Sequence, residues 1–140
     1  MQEGHYEEAE KLQSQIVESK RRVLGPAHNS TLQSMELDAL CLSKEGRYAD
    51  AEKIFREVIA TAEQSNQPGT VAETWYNFAC ADAQRGQVDQ AFADLDHAVE
   101  KGLVSPGALA ADPDLKSLHG DPRFDAIVAK ARATTTDNKK

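Results

Sequence analysis

The chain has 140 residues, a mass of 15.3 kDa and 40% hydrophobic residues, which is enough for one domain with its own core. Its formal net charge of −7 opposes binding to phosphate backbones and anionic lipid, so we expect no nucleic-acid or membrane-surface role. Two cysteines, Cys41 and Cys80, are too few for a disulfide framework, and no apolar run approaches the roughly 18 residues of a membrane span.

The first predicted helix covers residues 4–25. Tyr6, Ala9, Leu12 and Ile16 follow helical spacing, and the dipeptide at 25–26, Gly-Pro, cannot continue a helix. The pattern predicts one amphipathic helix, the second half of a hairpin whose first half is absent. Its apolar face therefore lacks cover on one side.

Two hairpins are predicted next, over residues 30–66 and 70–102. Ser30 and Thr70, each followed three residues later by Gln or Glu, have the spacing of capping boxes and predict helix starts. Gly46 and Gly86 are expected to end the first helix of each hairpin with a positive φ, which costs glycine nothing. The short turns make the two helices of each hairpin antiparallel.

The C-terminal region is predicted to form a cap over residues 105–133. Asp112 and Asp121 each precede a proline, the order expected at a helix start. We predict a short helix at 114–118 and a closing helix at 122–133. Residues 134–140 lack any large apolar group and are predicted to be disordered.

An internal repeat relates these helices. Residues 3–11 return as residues 45–53 with Glu, Gly, Tyr, Ala, Glu and Lys kept at a spacing of 42, and a weaker copy follows 40 residues later at 85–91. A fixed period of this length is typical of stacked helical repeats. Ala9, Ala51 and Ala91 recur at one place, where a small side chain lets two helices approach closely.

The spacing of Trp75, Phe78, Ala79, Gly86 and Ala91 resembles the tetratricopeptide repeat (TPR). The 42-residue period and residues 23–32 resemble its kinesin-light-chain-like branch, and the tail resembles the C-terminal part of bacterial-type arrays. The resemblance implies an all-α fold, a right-handed antiparallel helix-hairpin solenoid with a C-terminal capping helix. One domain over residues 1–133 would then act as an adaptor.

Residues suited to catalysis do not form a recognisable constellation. The acidic residues at 7, 8, 10 and 52 are interpreted as solvated helix faces, since catalytic carboxylates need burial or a close charge. The four histidines lack the i, i+4 pairing or cysteine partner of a zinc site. We therefore expect no enzymatic activity, no cofactor and no metal.

The leading functional hypothesis is a module that binds a peptide or protein segment on its concave face. In this family the first helix of each hairpin forms that face. Asn77 is the most suggestive position, because an amide can pair with both the C=O and the N–H of an extended peptide. The predicted binding residues are Gln33, Glu36, Leu37, Leu40, Lys44, Glu73, Tyr76, Asn77, Cys80 and Gln84.

A second hypothesis uses the uncovered first helix. Tyr6, Leu12 and Ile16 would then join a second copy, which makes the chain an oligomerisation unit and a candidate homo-oligomer. A third alternative is that the chain is the scaffold end of a larger signalling protein, which the resemblance alone implies. The sequence also predicts a cytoplasmic location.

Overall fold

The computed structural model describes the backbone of residues 2–139 and the side chains of residues 7–135. Every element in this range is a helix, and none of these residues forms a strand. The elements in chain order are α1 (Gln2–Leu24), α2 (Asn29–Lys44), α3 (Tyr48–Gln64), α4 (Pro68–Gln84), α5 (Val88–Val99), α6 (Pro106–Ala111), the 3₁₀ helix η1 (Pro113–Leu118) and α7 (Pro122–Lys139). The predicted all-α class is confirmed, while the handedness of the repeat stays a prediction.

The chain divides into two compact units, the first ending at Thr70 and the second beginning at Val71. In the first unit α2 packs against both α1 and α3. Its core consists of one side chain from α1 and two sets from α2 and α3: Val17, Leu32, Met35, Ala39, Leu42, Ala51, Phe55, Val58, Ile59 and Ala62. The single domain predicted over residues 1–133 stays a prediction.

The second unit has its own hydrophobic core. Side chains from α4, α5, α6, η1 and α7 form one cluster: Ala79, Cys80, Ala83, Ala91, Phe92, Leu95, Val99, Leu109, Leu115, Leu118, Phe124, Ile127 and Ala131. Arg123 lies over the Phe92 ring at 4.5 Å and donates to Asp89 at 2.8 Å, which ties the start of α7 to α5.

Helices α2 and α4 end in the same backbone motif. Gly46 has φ +86°, its N–H donates to Ser43 O, and the Arg47 N–H donates to Leu42 O at 2.9 Å. These two bonds form the Schellman motif, which satisfies carbonyls that the helix end leaves open. Gly86 repeats it with φ +82°. The predicted positive φ at both glycines is confirmed.

The helix starts differ from the two predicted capping boxes. Helix α2 begins at Asn29, and the His28 ring nitrogen caps it by accepting from the Ser30 N–H at 3.1 Å. Helix α4 begins at Pro68, so Thr70 already lies inside the helix. Both predictions were wrong because residues upstream, a histidine ring and a proline, start each helix earlier than expected.

The C-terminal region contains more helix than predicted. Helix α6 was not predicted, and Ser105 caps it by accepting from the N–H groups of Gly107 and Ala108. Helix α7 extends to Lys139, and the predicted disorder of residues 134–140 stays a prediction. The Thr134 hydroxyl donates to Val99 O at 3.0 Å, and that of Thr135 to Val104 O. These hydrogen bonds attach this turn of α7 to Val99 and Val104, although the turn carries no large apolar side chain.

Two of the three recurring alanines occupy the predicted position. Ala51 and Ala91 are 3% and 0% exposed, which confirms that they lie inside helix interfaces. Ala9, at the equivalent place in α1, is exposed. Ala51 differs in that α3, the helix that carries it, packs against α2.

Candidate functional site

Helix α2 presents a narrow exposed stripe. Gln33 and Lys44 are exposed, and Leu37 is 54% exposed, which is high for a large apolar side chain. Leu40 is half-buried, and Glu36 is only 3% exposed. Because α2 packs against helices on both sides, its flanks are covered, and the prediction that Glu36 lies on an open binding surface is corrected.

Helix α4 presents the equivalent stripe 40 residues later. Glu73 and Gln84 are exposed, and Asn77 is half-buried. Tyr76 is also half-buried, and Cys80 is 7% exposed and belongs to the core. Cys80 is therefore corrected from a surface position to a packing position.

The residues just before and within η1 contact this side of α4. The Tyr76 hydroxyl donates to Asp112 Oδ2 at 2.6 Å, and the Gln84 amide donates to Asp114 Oδ1 at 3.1 Å. Burial and the neighbouring Asp112 carboxylate raise the pKa of Tyr76. Part of the predicted peptide surface of α4 is thus already occupied by the chain's own residues 112–114.

Asp112 and Asp114 were not among the predicted site residues. The sequence did identify Asp112 as a cap, and its Oδ1 does accept from the Asp114 N–H at 2.9 Å. Its second oxygen is the acceptor for Tyr76, 36 residues away. Local spacing reveals a cap, but it carries no signal for this distant partner.

An open cleft of about 440 Å³ lies beside these contacts. Its lining comes from the end of α4 and from η1: Ala83, Gln84, Pro113, Asp114, Lys116 and Ser117. The cleft is shallow and of mixed charge, and it lacks the enclosure that a small-molecule pocket provides. It is therefore better suited to accept a side chain of a protein partner.

The ligand atoms of Cys80, Asp112 and Asp114 lie within 4.8 Å of one another. Burial raises the pKa of the Cys80 thiol to about 12, so the thiol keeps its proton at neutral pH. Both carboxylates already accept hydrogen bonds. Because a metal ligand must be deprotonated, we assign no metal here.

A second group that the sequence did not indicate lies between α1 and α2. Asp38 is 7% exposed, and Glu10 and Ser14 of α1 lie against its carboxylate. Burial and the Glu10 charge raise the pKa of Asp38 to about 6. The interpretation of Glu10 as part of a solvated helix face is corrected, because Glu10 is half-buried and accepts from the Ser14 hydroxyl at 2.9 Å.

The outer face of α1 is exposed and apolar. Leu12 is 61%, Ile16 44% and Val23 76% exposed. Tyr6, the third residue predicted for self-association, lies outside the described side chains. The structure therefore leaves Leu12 and Ile16 accessible to a partner.

Residues 1–64 match a family model described as tetratricopeptide repeat. The match supports a tetratricopeptide repeat protein. It covers the three helices of the first unit, in which α2 and α3 form the predicted antiparallel hairpin. Tetratricopeptide repeats generally mediate protein–protein interaction.

The chain is also similar to a protein of Arabidopsis thaliana that is described as chloroplastic. The two sequences are 29% identical over 91 residues, which is 65% of this chain and 26% of that protein. The chain thus spans about a quarter of this relative's length. Among residues 2–139, none of the helices is long and apolar enough to cross a bilayer.

Proposed function

We propose that the chain is a non-enzymatic module that binds a peptide or protein segment through the exposed stripes of α2 and α4. One observation carries the proposal. Three positions of the repeat stay accessible in both units, because Gln33 and Glu73, Leu37 and Asn77, and Lys44 and Gln84 each lie 40 residues apart and none is fully buried.

Leu37 is the apolar anchor of the α2 stripe. An exposed leucine gains free energy when a partner covers it, at about 25 cal/mol per Å² of apolar area. Asn77 supplies a side-chain amide for the peptide backbone, and Gln33, Lys44, Glu73 and Gln84 border the stripes with polar groups. Tyr76 contributes its ring, since its hydroxyl is held by Asp112.

Affinity capture followed by mass spectrometry tests the proposal. Wild-type protein is compared with the double variant Leu37→Ser, Asn77→Ala, and the matched control is Leu103→Ser, because Leu103 is 53% exposed outside the stripes. We expect a set of proteins that the wild type and the control capture and the double variant loses. Equal capture by all three would remove these stripes from consideration.

Self-association through α1 is a second candidate function. The exposure of Leu12 and Ile16 favours it, because their repeat equivalents Ile54 and Val58 are half-buried and fully buried. A monomeric protein carries few contiguous exposed apolar side chains without a use for them. The oligomer would present its peptide-binding stripes in more than one copy.

Three finer assignments belong to this proposal. We infer that the repeats belong to the kinesin-light-chain-like branch and to the C-terminal part of a bacterial-type array, on the 42-residue period and the C-terminal helices. The partner is a protein and not a nucleic acid, because the net charge is −7. A cytoplasmic location completes the proposal.

A further inference from the structure

The exposed face of α1 has the spacing of a coiled-coil seam. Ala9, Leu12, Ile16, Ser19 and Val23 follow one another at alternating steps of three and four residues, and all five are exposed. This spacing is the a and d pattern of a heptad, in which one helix packs along another. The seam is apolar at Leu12, Ile16 and Val23 and small at Ala9 and Ser19.

The internal repeat shows what kind of element covers such a face. Residues 51, 54 and 58 of α3 are the equivalents of residues 9, 12 and 16, and α3 packs against helix α2. Ala51 and Val58 are 3% and 0% exposed there. The same positions in α1 are therefore suited to another helix.

One flank of the seam carries complementary charges. Glu8, Gln15 and Arg22 are seven residues apart, so they share one heptad position beside the seam, and all three are exposed. In an antiparallel pair of identical helices this flank faces its own counterpart. Glu8 of one helix then meets Arg22 of the other, twice, and Gln15 meets Gln15.

The apolar residues agree with this register independently. When Glu8 lies opposite Arg22 of the second copy, Leu12 packs beside Ile16 of that copy, and Ala9 beside the small Ser19. Large residues thus meet large ones and small residues meet small ones. In a parallel pair, Glu8 and Arg22 would instead face the opposite flank of the second copy's seam. That flank carries Gln13 and Lys20, whose side chains already donate to Ser34 of α2.

We propose that two copies of this chain associate through α1 in an antiparallel, two-fold symmetric pair centred near Gln15. This proposal rests on the second candidate function above and names its partner and geometry. The interface is isologous, because each copy contributes the same seam and the same charged flank. A seam of about four turns gives a small interface, so the dimer is weak.

Sedimentation velocity across roughly 5–500 µM protein tests the proposal, since a small interface dissociates in this range. We expect the wild type to shift from monomer to dimer. The double variant Leu12→Glu, Ile16→Glu should remain monomeric. The matched control is Leu103→Glu, which changes another exposed leucine and should dimerise like the wild type.

Charge reversal tests the antiparallel register. Glu8→Arg and Arg22→Glu should each raise the dimer dissociation constant about tenfold at low salt, because like charges then meet. The double variant Glu8→Arg, Arg22→Glu restores opposite charges and should recover most of the affinity. Circular dichroism of each variant checks that the exposed substitutions leave the helices intact.

The outcomes separate this proposal from the others. A wild type that stays monomeric throughout overturns both self-association and the antiparallel pair, whereas peptide capture is judged by its own variants. A dimer that the Leu12, Ile16 variant does not disrupt also overturns the proposal, because another face must then join the copies. A third outcome is that the Leu12, Ile16 variant abolishes the dimer but the double charge reversal does not recover the affinity. Self-association then stands, and the antiparallel register is overturned.

Discussion

At the scale of single residues, burial changes the chemistry of side chains that look ordinary in the sequence. Asp38 is the clearest case. An aspartate on a helix is usually solvated, but the Asp38 residue is only 7% exposed and lies against Glu10. Its pKa is raised from 3.8 to about 6. The folded state therefore disfavours the ionised carboxylate.

The pH dependence of stability follows from this sign. Between about pH 4 and pH 6, the unfolded chain has lost the Asp38 proton while the folded chain still holds it. The free energy of unfolding therefore falls as the pH rises, and this decrease is complete above pH 6. Asp38→Asn removes the ionisation. We expect it to stabilise the protein by about 1–3 kcal/mol more at pH 7.5 than at pH 4.5.

Urea unfolding followed by circular dichroism at the two pH values measures this difference. Asp125→Asn, which changes an exposed aspartate of α7, serves as the control and should show no such pH-dependent gain. A gain for Asp38→Asn that is the same at both pH values would contradict the explanation from burial.

The bond between Tyr76 and Asp112 makes a second prediction at this scale. Tyr76→Phe deletes the hydroxyl and leaves a half-buried carboxylate oxygen without its 2.6 Å donor, which costs about 1–3 kcal/mol. Hydrogen exchange should become faster in residues 112–118. Unchanged exchange there would show that this bond does not hold η1 against α4.

At the scale of the element, the sequence predicted the structural features that recur with the internal repeat and missed the features that do not recur. The helix order, the positive φ at Gly46 and Gly86 and the buried alanines all follow from periodicity and from glycine at fixed places. The helix starts were missed because His28 caps α2, and Pro68 begins α4, just upstream of the expected serine and threonine. Helix α6 was missed because six residues show no periodicity.

The turn at Gly46 gives an element-scale prediction. A Cβ added there would meet no atom within 4 Å, so any penalty of Gly46→Ala comes from the backbone at φ +86° and not from a clash. We expect a loss of about 1–2 kcal/mol in thermal or urea unfolding. Gly69→Ala, equally open but inside α4 without a positive φ, should be neutral or slightly stabilising, and equal effects would refute the explanation.

The recurring alanines allow a matched test of helix packing. Ala51→Leu forces methylenes into the filled α2–α3 interface and should destabilise by roughly 1–3 kcal/mol. Ala9→Leu places the same side chain at the equivalent but exposed position of α1, where we expect little change at protein concentrations low enough to keep the chain monomeric. Equal melting temperatures for both variants would show that the repeat register is wrong.

At the scale of the whole molecule, the surface that the sequence predicted is only partly exposed. The stripe positions of α2 and α4 were predictable because surface positions follow helical phase. Glu36 and Cys80 were misplaced because neighbouring elements decide whether a flank of a helix is covered. The contacts of residues 112–114 with α4 join segments 30 to 36 residues apart, for which a single sequence carries no local signal.

Hydroxyl-radical footprinting with and without a captured partner is the sharpest test of binding through the stripes, because it reports the exposure of individual side chains. We expect the partner to protect Leu37 from labelling while Leu103, equally exposed in the free protein, stays labelled. Unchanged labelling of Leu37 in the complex, together with protection elsewhere, would contradict binding at this surface.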